Sequence, residues 1–457
     1  MDAAYPLVNR ELNSAFAFLA RPIPNFGLAA GYVDVKTFLH HVALVAGQLP
    51  DSPHVINMCA NRYLFVVTFC ATIVEGKTNL LPANKNKVTQ CELADNYGGC
   101  CVVHDGAEVD SSLHSVNVAT LQFNLTAAAM NDAASSIPTI VDSHLACISF
   151  TSGSTGRSKP NLKYWRTLRE SSAINFRHML GEIDRTLFQL ATMPAQHMWG
   201  LETSVLLPMF FDVCLCDAQP LFPQDIVDIL HQLPEPKMLV STPVHLRALL
   251  SAKPEAIKLR TVLCATSPLT NELANQVEST FTCELREVYG CSEVGSMAVR
   301  RTAKESCWRR FDGIDFTAKG EVTWASADHL PETIELQDQI NAVDEDHFEL
   351  CGRTSDLIKI AGKRGSLFAI NQTLLKFDGL QDGIVIKSDR ASETARPCAI
   401  VALQATSSKA ALLAYLRDHL DSAFVPRPIY VVDELPRESN GKLVKAKLAE
   451  LLEQLRG

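Results

Sequence analysis

The segment of this sequence best suited to hold a phosphate chain is a run of small hydroxyl and glycine residues that ends in a lysine, residues 151–159. Gly153 and Gly156 let backbone N–H groups turn toward an anion, and Lys159 adds a positive charge. Four hydroxyl groups supply further donors, those of Thr151, Ser152, Ser154 and Thr155. The apolar residues 147–150 predict a buried strand leading into this loop. The spacing is not G-x-x-x-x-G-K-[ST], so a P-loop kinase fold is not indicated.

Three later segments carry further side chains that could bind a ligand. Tyr289-Gly-Cys-Ser-Glu293 combines a ring able to stack on a base with a carboxylate, a ligand that Mg²⁺ prefers. Asp338 can accept both hydroxyls of a cis-diol, and Arg353 offers a planar fork for oxygen atoms. In Leu435-Pro-Arg-Glu-Ser-Asn-Gly-Lys442, a helix start is predicted at Asn440-Gly441, where a cation opposes the helix dipole. Local structure therefore gives no reason for Lys442, which makes it a candidate for chemistry.

In this order, the four segments resemble the motifs of the adenylate-forming superfamily, which includes acyl-CoA synthetases, peptide-synthetase adenylation domains and luciferases. The third motif comprises Asp338 and Gly352-Arg353-Thr-Ser-Asp-Leu-Ile-Lys359 with Gly362, and the separation of Asp338 from Gly352 equals the usual spacing of the family. The resemblance runs from about residue 60 to the end of the chain. It implies an ATP- and Mg²⁺-dependent enzyme that joins a carboxylate to the α-phosphate of ATP, releases pyrophosphate and then passes the acyl group to a thiol.

The resemblance also implies a role for individual residues. Phosphate binding falls to Thr151, Ser152, Gly153, Ser154, Thr155, Gly156 and Lys159. Adenine and ribose binding falls to Thr266, Ser267, Tyr289, Gly290, Ser292, Asp338 and Arg353. Metal binding falls to Thr151 and Glu293, and catalysis to Lys442, His197 and Glu293. The acid pocket takes His197, Trp199 and Gly200, while Ser355 is the hinge of a rotating C-terminal domain and Gly362 lines the thiol channel.

The acid and the thiol acceptor are less sharply indicated. Pro194-Ala-Gln-His-Met-Trp-Gly-Leu-Glu202 and the short stretch before residue 151 are similar to ligases of bacterial aryl polyene and xanthomonadin pathways. Those enzymes load 3- or 4-hydroxybenzoate-type acids onto an acyl carrier protein. An acyl-CoA synthetase for an aryl or fatty acid is the alternative. A second alternative is a non-catalytic nucleotide or acyl-adenylate sensor, suggested by departures from the family pattern at Ser158, Gln337, Ser355 and residues 369–372.

Composition excludes several other classes. The chain has 457 residues, 47% of them hydrophobic and 20% charged, and a formal net charge of −9, so a basic nucleic-acid-binding surface is not expected. Fourteen cysteines without a Cys-x-x-Cys pair favour reduced, buried thiols over zinc or disulfides. The N-terminus does not resemble a secretory signal, and the apolar run 63–74 is shorter than the ~20 residues of a membrane span. We therefore expect a cytoplasmic enzyme.

Alternating apolar runs and helical patterns predict an α/β fold that positions these residues. Strands are expected at residues 55–58, 147–150, 238–241 and 261–264, and a helix at residues 161–180. The tail predicts strands at residues 357–360, 367–370, 383–386, 399–403 and 429–432, a helix from Ser408 and a closing helix. Residues 354–457 carry 15 Lys+Arg against 12 Asp+Glu, which suits a lid over a polyanion. We predict a large N-terminal multi-layer α/β domain, residues 1–353, and a small mobile C-terminal α+β domain, residues 354–457.

Overall fold

A computed structural model describes most of the chain. The described residues are 2–82, 84–121, 137–152, 158–254, 257–319, 322–353, 356–360, 363–387, 396–437 and 443–456. The chain divides into two compact units: unit 1 comprises Met1–Thr266 and Val277–Met297, and unit 2 comprises Ser267–Gln276 and Ala298–Gly457. The domain boundary expected after residue 353 stays a prediction.

The strands are numbered in chain order. They are β1 (Ala4–Pro6), β2 (Ala15–Leu19), β3 (Gly31–Asp34), β4 (His54–Asn57), β5 (Thr78–Leu81), β6 (Cys100–His104), β7 (Ser115–Asn117), β8 (Thr139–Val141), β9 (Leu145–Ser152), β10 (Ser158–Tyr164), β11 (Leu187–Ala191), β12 (Val213–Cys216), β13 (Lys237–Ser241), β14 (Thr261–Cys264), β15 (Glu284–Cys291), β16 (Gly295–Arg300), β17 (Trp308–Arg310), β18 (Asp315–Lys319), β19 (Val322–Ser326), β20 (Ile334–Leu336), β21 (Asp338–Ala342), β22 (His347–Arg353), β23 (Leu357–Ile360), β24 (Lys363–Ser366), β25 (Leu380–Ile386), β26 (Cys398–Leu403) and β27 (Ile429–Val431).

The α-helices are α1 (Val35–Ala46), α2 (Arg62–Val74), α3 (Lys87–Tyr97), α4 (Trp165–Met179), α5 (Met198–Leu201), α6 (Leu207–Phe210), α7 (Pro223–Gln232), α8 (Pro243–Ser251), α9 (Asn271–Phe281), α10 (Leu367–Leu375), α11 (Lys409–His419) and α12 (Lys445–Arg456). A 3₁₀ turn covers Pro24–Phe26, and a π-helical segment, Glu202–Leu206, joins α5 directly to α6. π-Helical segments are rare and are found frequently at functional sites. Among the described residues, none of these helices has both the length and the apolarity to cross a membrane.

Unit 1 contains a six-stranded sheet and a stretch of mainly parallel strands. The six-stranded sheet has the order β10-β9-β5-β4-β6-β7, in which only β10 is antiparallel to its neighbour. The second set has the order β16-β15-β14-β13-β11-β12-β2-β3, with parallel pairing from β15 through to β2. Helix α2 lies in the core, where Tyr63, Phe65 and Phe69 are almost fully buried. Such parallel strands with helical connections are the α/β architecture that the sequence predicts.

Unit 2 contains smaller, mainly antiparallel sheets. Strands β21, β22 and β17 pair antiparallel, β18-β19-β20 form a three-stranded sheet, and β23-β24 form a hairpin. In the sheet β25-β26-β27, successive side chains of the central strand β26 point to opposite faces of the sheet. Ala399 and Val401 pack with α10 and α11, while Ile400 packs with α12 residues such as Leu452. This period-two burial explains how one short strand supports two apolar clusters.

Two short elements differ from the sequence prediction. Residues 161–164 are strand rather than helix, because they pair with residues 145–149 of β9, and Leu162 is consequently 47% exposed. Residues 367–370 begin helix α10 rather than forming a strand, since Leu367, Ile370 and Leu374 form one buried stripe. A short apolar run does not by itself distinguish strand from helix. The closing helix comprises Lys445–Arg456, and the helix start predicted at Asn440-Gly441 lies outside the described residues.

The fourteen cysteines are all free thiols, and most are buried. Burial raises the pKa of Cys147 and of Cys291 to about 12. Cys351 in β22 is the exposed member of the set. These thiols therefore act mainly as small apolar side chains, as their pattern in the sequence indicates.

Candidate active site

Four neighbouring parallel strands of unit 1 end at the same edge. They are β11, β13, β14 and β15, and each pairs in parallel with the next. The residues that follow these strands are Thr192–His197, Thr242, Ala265-Thr266 and Ser292-Glu293. Ligands of open α/β sheets bind outside the carboxyl ends of the strands. The structure thus brings parts of the predicted acid, adenine and metal motifs to one edge.

The segment Tyr289–Glu293 forms the end of β15 and the turn into β16. The Tyr289 side chain is 9% exposed, whereas Ser292 and Glu293 in the turn are partly exposed. Gly290 lies so close to the following strand that a Cβ atom there would overlap the Gly295 carbonyl group. Glycine at position 290 therefore allows the two strands to approach and places the turn.

Strand β10, which follows the predicted phosphate loop, is tied to the same turn. The Lys163 Nζ atom donates a 2.7 Å hydrogen bond to the Glu293 carbonyl oxygen, and the Lys163 side chain is almost fully buried. Burial lowers the pKa of Lys163. Lys159 lies on β10 opposite Thr151 of β9 and is exposed. The structure thus connects the hairpin of the phosphate motif to the Glu293 turn, through a lysine that the sequence did not single out.

Thr266 has an unusual backbone conformation. Its φ angle is +87°, in a region that side chains other than glycine rarely adopt. Thr266 follows β14 at the carboxyl edge and is predicted to line the adenine site. Strained conformations of this kind cluster at ligand-binding sites, where the surrounding structure enforces them.

The segment predicted to line the acid pocket is held by a buried arginine. The Arg62 guanidinium group donates to the carbonyl oxygens of Ala191 at 2.9 Å and Met193 at 2.8 Å, and to Ser204 Oγ at 2.9 Å. Arg62 is 2% exposed, and burial lowers its pKa to about 10. His197, in this segment, is the residue that precedes α5. Arg62 therefore fixes both ends of the His197 segment, which no motif in the sequence indicated.

Trp199 and Gly200 lie in α5 directly after His197. Trp199 is 7% exposed. A Cβ atom on Gly200 would overlap the Pro194 carbonyl group, so the tight return of the chain from Pro194 to α5 requires glycine. The three predicted acid-pocket residues, His197, Trp199 and Gly200, therefore lie where one compact loop enters α5 at the carboxyl edge.

A hydrogen-bonded group of polar side chains lies at the same edge. Thr192 Oγ1 lies 2.7 Å from His245 Nδ1 and 3.0 Å from Ser241 Oγ. Burial lowers the pKa of His245, so its imidazole is neutral near pH 7. The His245 side chain is partly exposed. The sequence analysis missed this group, although each member stands at the end of a strand or the start of the next helix.

In unit 2, the two residues predicted to bind ribose are direct neighbours. Asp338 of β21 and Arg353 of β22 are partners in the antiparallel register. Gly352 has a φ angle of +95°, and a Cβ atom there would contact Phe368. The hairpin of β21 and β22 thus pairs the position of Asp338 with that of Arg353.

Several predicted site residues lie outside the described part of the chain. They are Gly153, Ser154, Thr155, Gly156, Ser355, Gly362 and Lys442. Thr151 and Ser152 end β9, and Arg353 ends β22, but their side chains are not described. Ser267 lies in unit 2 and is partly exposed. The roles of all these residues stay predictions.

Open α/β sheets of this kind bind ligands, nucleotides among them, outside the carboxyl ends of their strands. The profile of the family described as AMP-binding enzyme matches residues 51–320, and that of the AMP-binding enzyme C-terminal domain matches residues 369–442. The chain belongs to the AMP-binding enzyme family. It is an AMP-forming acid–thiol ligase, which adenylates an acyl or aryl acid, and this family uses ATP.

Relatives of known function include both kinds of acceptor. The chain is 22% identical over 317 residues to 3,4-dihydroxybenzoate–[aryl-carrier protein] ligase of Bacillus anthracis, covering 66% of this chain and 73% of that protein. It is 32% identical over 110 residues to 4-hydroxybenzoate–CoA/benzoate–CoA ligase of Rhodopseudomonas palustris, covering 23% of this chain and 20% of that protein. These names leave the choice between a carrier protein and CoA open.

Solved structures confirm the predicted fold. ATP-bound MatB from Rhodopseudomonas palustris matches with a TM-score of 0.78 at 18% identity over 98% of both chains. The o-succinylbenzoate CoA synthetase MenE from Bacillus subtilis, in complex with its acyl-adenylate OSB-AMP, matches with a TM-score of 0.76 at 15% identity over 98% of both chains. The chain therefore has the adenylate-forming fold, with a large N-terminal α/β domain and a small C-terminal domain.

Proposed function

We propose that this enzyme adenylates an aryl acid of the hydroxybenzoate type and transfers it to the phosphopantetheine thiol of an acyl carrier protein. The observation that carries the proposal is the meeting of the His197, Thr266 and Glu293 segments at the carboxyl edge of four parallel strands. The Bacillus anthracis relative, by its name, joins a dihydroxybenzoate to an aryl-carrier protein. The similarity of residues 194–202 to ligases of pigment pathways favours aryl polyene or xanthomonadin biosynthesis as the setting.

A ring hydroxyl on the acid is supported by the polar group at this edge. We infer that His245, which contacts Thr192 Oγ1 through Nδ1, offers Nε2 to a ring hydroxyl of the acid. Sites built to bind a hydroxyl reject analogues that lack it. His245 therefore favours a hydroxybenzoate over a fatty acid.

Adenylation requires the acid and ATP to be held in line while negative charge is neutralised. We infer that Tyr289 stacks on the adenine, that Asp338 accepts the ribose hydroxyls, and that residues 151–156 with Lys159 hold the phosphates. A carboxylate oxygen then attacks the α-phosphorus and pyrophosphate leaves, while Lys442 neutralises charge on the carboxylate and α-phosphate. The second step forms the thioester bond and releases AMP.

Glu293 and Thr151 suit the role of Mg²⁺ ligands. Among the described residues, no group of three or more His, Cys, Asp or Glu is arranged to hold a metal ion. Mg²⁺ is usually held by one or two carboxylates together with substrate phosphates, and Glu293 offers one such carboxylate. When bound, Mg²⁺ neutralises charge on the phosphate oxygens.

The test is acid-dependent release of pyrophosphate from ATP across a panel of alkyl and aryl acids, including 3- and 4-hydroxybenzoate. Intact-mass analysis with free CoA and with a holo carrier protein then identifies the acceptor. A hydroxybenzoate should give the highest kcat/KM, and the carrier protein should gain the acyl mass. Efficient turnover with CoA alone would instead establish an acyl-CoA synthetase, and no pyrophosphate with any acid would favour a nucleotide sensor.

A further inference from the structure

A buried carboxylate lies behind the turn that carries Glu293. Glu202, the first residue of the π-helical segment, is 3% exposed. Its carboxylate accepts hydrogen bonds from the Ser296 backbone N–H at 2.9 Å and from Ser296 Oγ at 2.7 Å. The Asn175 side-chain amide of α4 donates a third bond at 2.9 Å. Burying a carboxylate costs free energy unless hydrogen bonds compensate for the lost water. Removing these three donors would leave the Glu202 carboxylate unsatisfied.

The backbone of the turn is adapted to this carboxylate. Gly295 has a φ angle of +103°, and a Cβ atom there would lie 2.8 Å from Glu202 Oε1. Position 295 must therefore be glycine both for its conformation and for the approach of Glu202. Asn175 keeps its donor on Glu202 although its own Oδ1 is buried without a partner among the described residues. The contact with Glu202 thus determines the geometry of its neighbours.

Opposite charges hold the turn at its two ends. Lys163 donates to the Glu293 carbonyl oxygen, and Glu202 accepts from Ser296 three residues later. Burial lowers the pKa of Lys163 and raises that of Glu202, while each charge favours the ionised form of the other. The turn between them contains one glycine, and Glu293 at its start is partly exposed.

We propose that Glu202 is a positioning residue that acts through Ser296, and together with Lys163 fixes the turn in which Glu293 meets the Mg²⁺ of the bound nucleotide. This inference rests on the proposed function of the site. A role in positioning predicts a specific defect in the contribution of Mg²⁺ to nucleotide binding. A purely structural role predicts a loss of stability that affects binding with and without Mg²⁺ equally.

The experiment compares Glu202→Gln and Ser296→Ala with two matched controls on α4. Glu170→Gln makes the same chemical change on a side chain that is 30% exposed, and Ser171→Ala removes a buried hydroxyl that donates within its own helix. ATP binding is measured by calorimetry in Mg²⁺ and in EDTA. Pyrophosphate release is measured against Mg²⁺ concentration.

We expect Glu202→Gln to reduce the gain in ATP affinity from Mg²⁺ by about tenfold, with affinity in EDTA unchanged, and to raise the Mg²⁺ midpoint of turnover similarly. Ser296→Ala keeps the hydrogen bond from the Ser296 backbone N–H to Glu202, so its Mg²⁺ dependence should shift less. If Glu202→Gln does not fold, Ser296→Ala provides the test. Wild-type Mg²⁺ dependence in the folded variants, or a lower kcat at an unchanged midpoint, would overturn the inference. Absence of turnover in the wild type would instead refute the proposed function, while the binding titration would still report on Glu202.

Discussion

Arg437 and Asp382 form a bidentate ion pair within unit 2. Arg437 Nε lies 2.6 Å from Asp382 Oδ2 and Nη2 lies 2.7 Å from Oδ1, and both side chains are 16% exposed. Arg437 also forms a β-bridge with Leu443, and the Val444 N–H donates to the Pro436 carbonyl oxygen. The described residues on either side of Lys442 are therefore bonded to each other, and Arg437 among them is bound to Asp382 of β25.

Weakening the ion pair between Arg437 and Asp382 should slow the adenylation step but not the thioester-forming step. Arg437→Lys keeps the charge but cannot make the forked contact with Asp382. We expect pyrophosphate release to fall by about tenfold, because Lys442 is then less well positioned. Conversion of a supplied acyl-adenylate to thioester should not change. Arg417→Lys, on the exposed face of α11, is the matched control. Equal losses in both half-reactions would contradict the prediction.

Lys442→Ala and Gly362→Trp should separate the two half-reactions in opposite directions. We expect Lys442→Ala to abolish most pyrophosphate release while a supplied acyl-adenylate is still converted to thioester. Gly362→Trp should block thioester formation by narrowing the thiol channel and leave pyrophosphate release intact. Rapid-quench measurement of each step checks both variants. A loss of both activities in Gly362→Trp would refute the assignment of Gly362.

Removing the Arg62 guanidinium group should affect the acid site first. In Arg62→Met, the carbonyl groups of Ala191 and Met193 lose their buried donor. We expect the free energy of unfolding to fall by about 2–4 kcal/mol. The KM for the acid should rise more than the KM for ATP, because the His197 segment loses its anchor. Arg166→Met, at a side chain that is 51% exposed, is the control. Parallel changes in both KM values would show that Arg62 acts only on overall stability.

Replacing His245 should change the preference among acids. In His245→Phe, the hydrogen bond to Thr192 and the partner for a ring hydroxyl are both lost. We expect kcat/KM for hydroxybenzoate to fall by about tenfold or more relative to that for benzoate. Thr192→Val removes only the orienting hydroxyl and should give a smaller change in the same direction. An unchanged ratio of hydroxybenzoate to benzoate turnover would exclude His245 from the acid site.

Unit 1 should lose stability as the pH falls below about 6.5. His41 Nδ1 lies 2.7 Å from the Tyr63 hydroxyl, and burial, with the nearby His40, lowers the His41 pKa to about 3, while Asp34 acts in the opposite direction. In the unfolded chain, His41 is protonated below about pH 6.5, whereas in the folded chain it stays neutral. Acid therefore favours the unfolded state. At pH 5 this difference in proton uptake lowers the free energy of unfolding by about 2 kcal/mol. Denaturant titrations at pH 7 and pH 5 should show a smaller loss for His41→Gln than for the wild type, with exposed His114→Gln as the control.

The motifs could be predicted from the sequence because each requires particular residue types over a short span. Tyr289, Gly290 and Glu293 occur together at the end of one strand, and the spacing from Asp338 to Arg353 corresponds to one hairpin. Strands such as β14 and β23 were predicted with the same bounds. These features are local, so residue pattern and chain geometry determine them.

The residues that hold the motifs in place could not be predicted in the same way. Lys163 and Glu293 are separated by 130 residues, Arg62 and Met193 by 131, and Glu202 and Ser296 by 94. A charged residue in a strand or helix ordinarily indicates a solvated surface, and only tertiary packing makes it a buried anchor. The cytoplasmic location, the moving C-terminal domain and its boundary after residue 353 stay predictions.

The single exposed thiol offers a practical advantage. Cys351 stands two residues before Arg353, while burial raises the pKa of thiols such as Cys147 and slows their reaction. A maleimide fluorophore should therefore attach to this strand first, without engineering away the other cysteines. The natural enzyme would then carry its own optical reporter beside the expected hinge, and nucleotide or acid addition could be followed in real time.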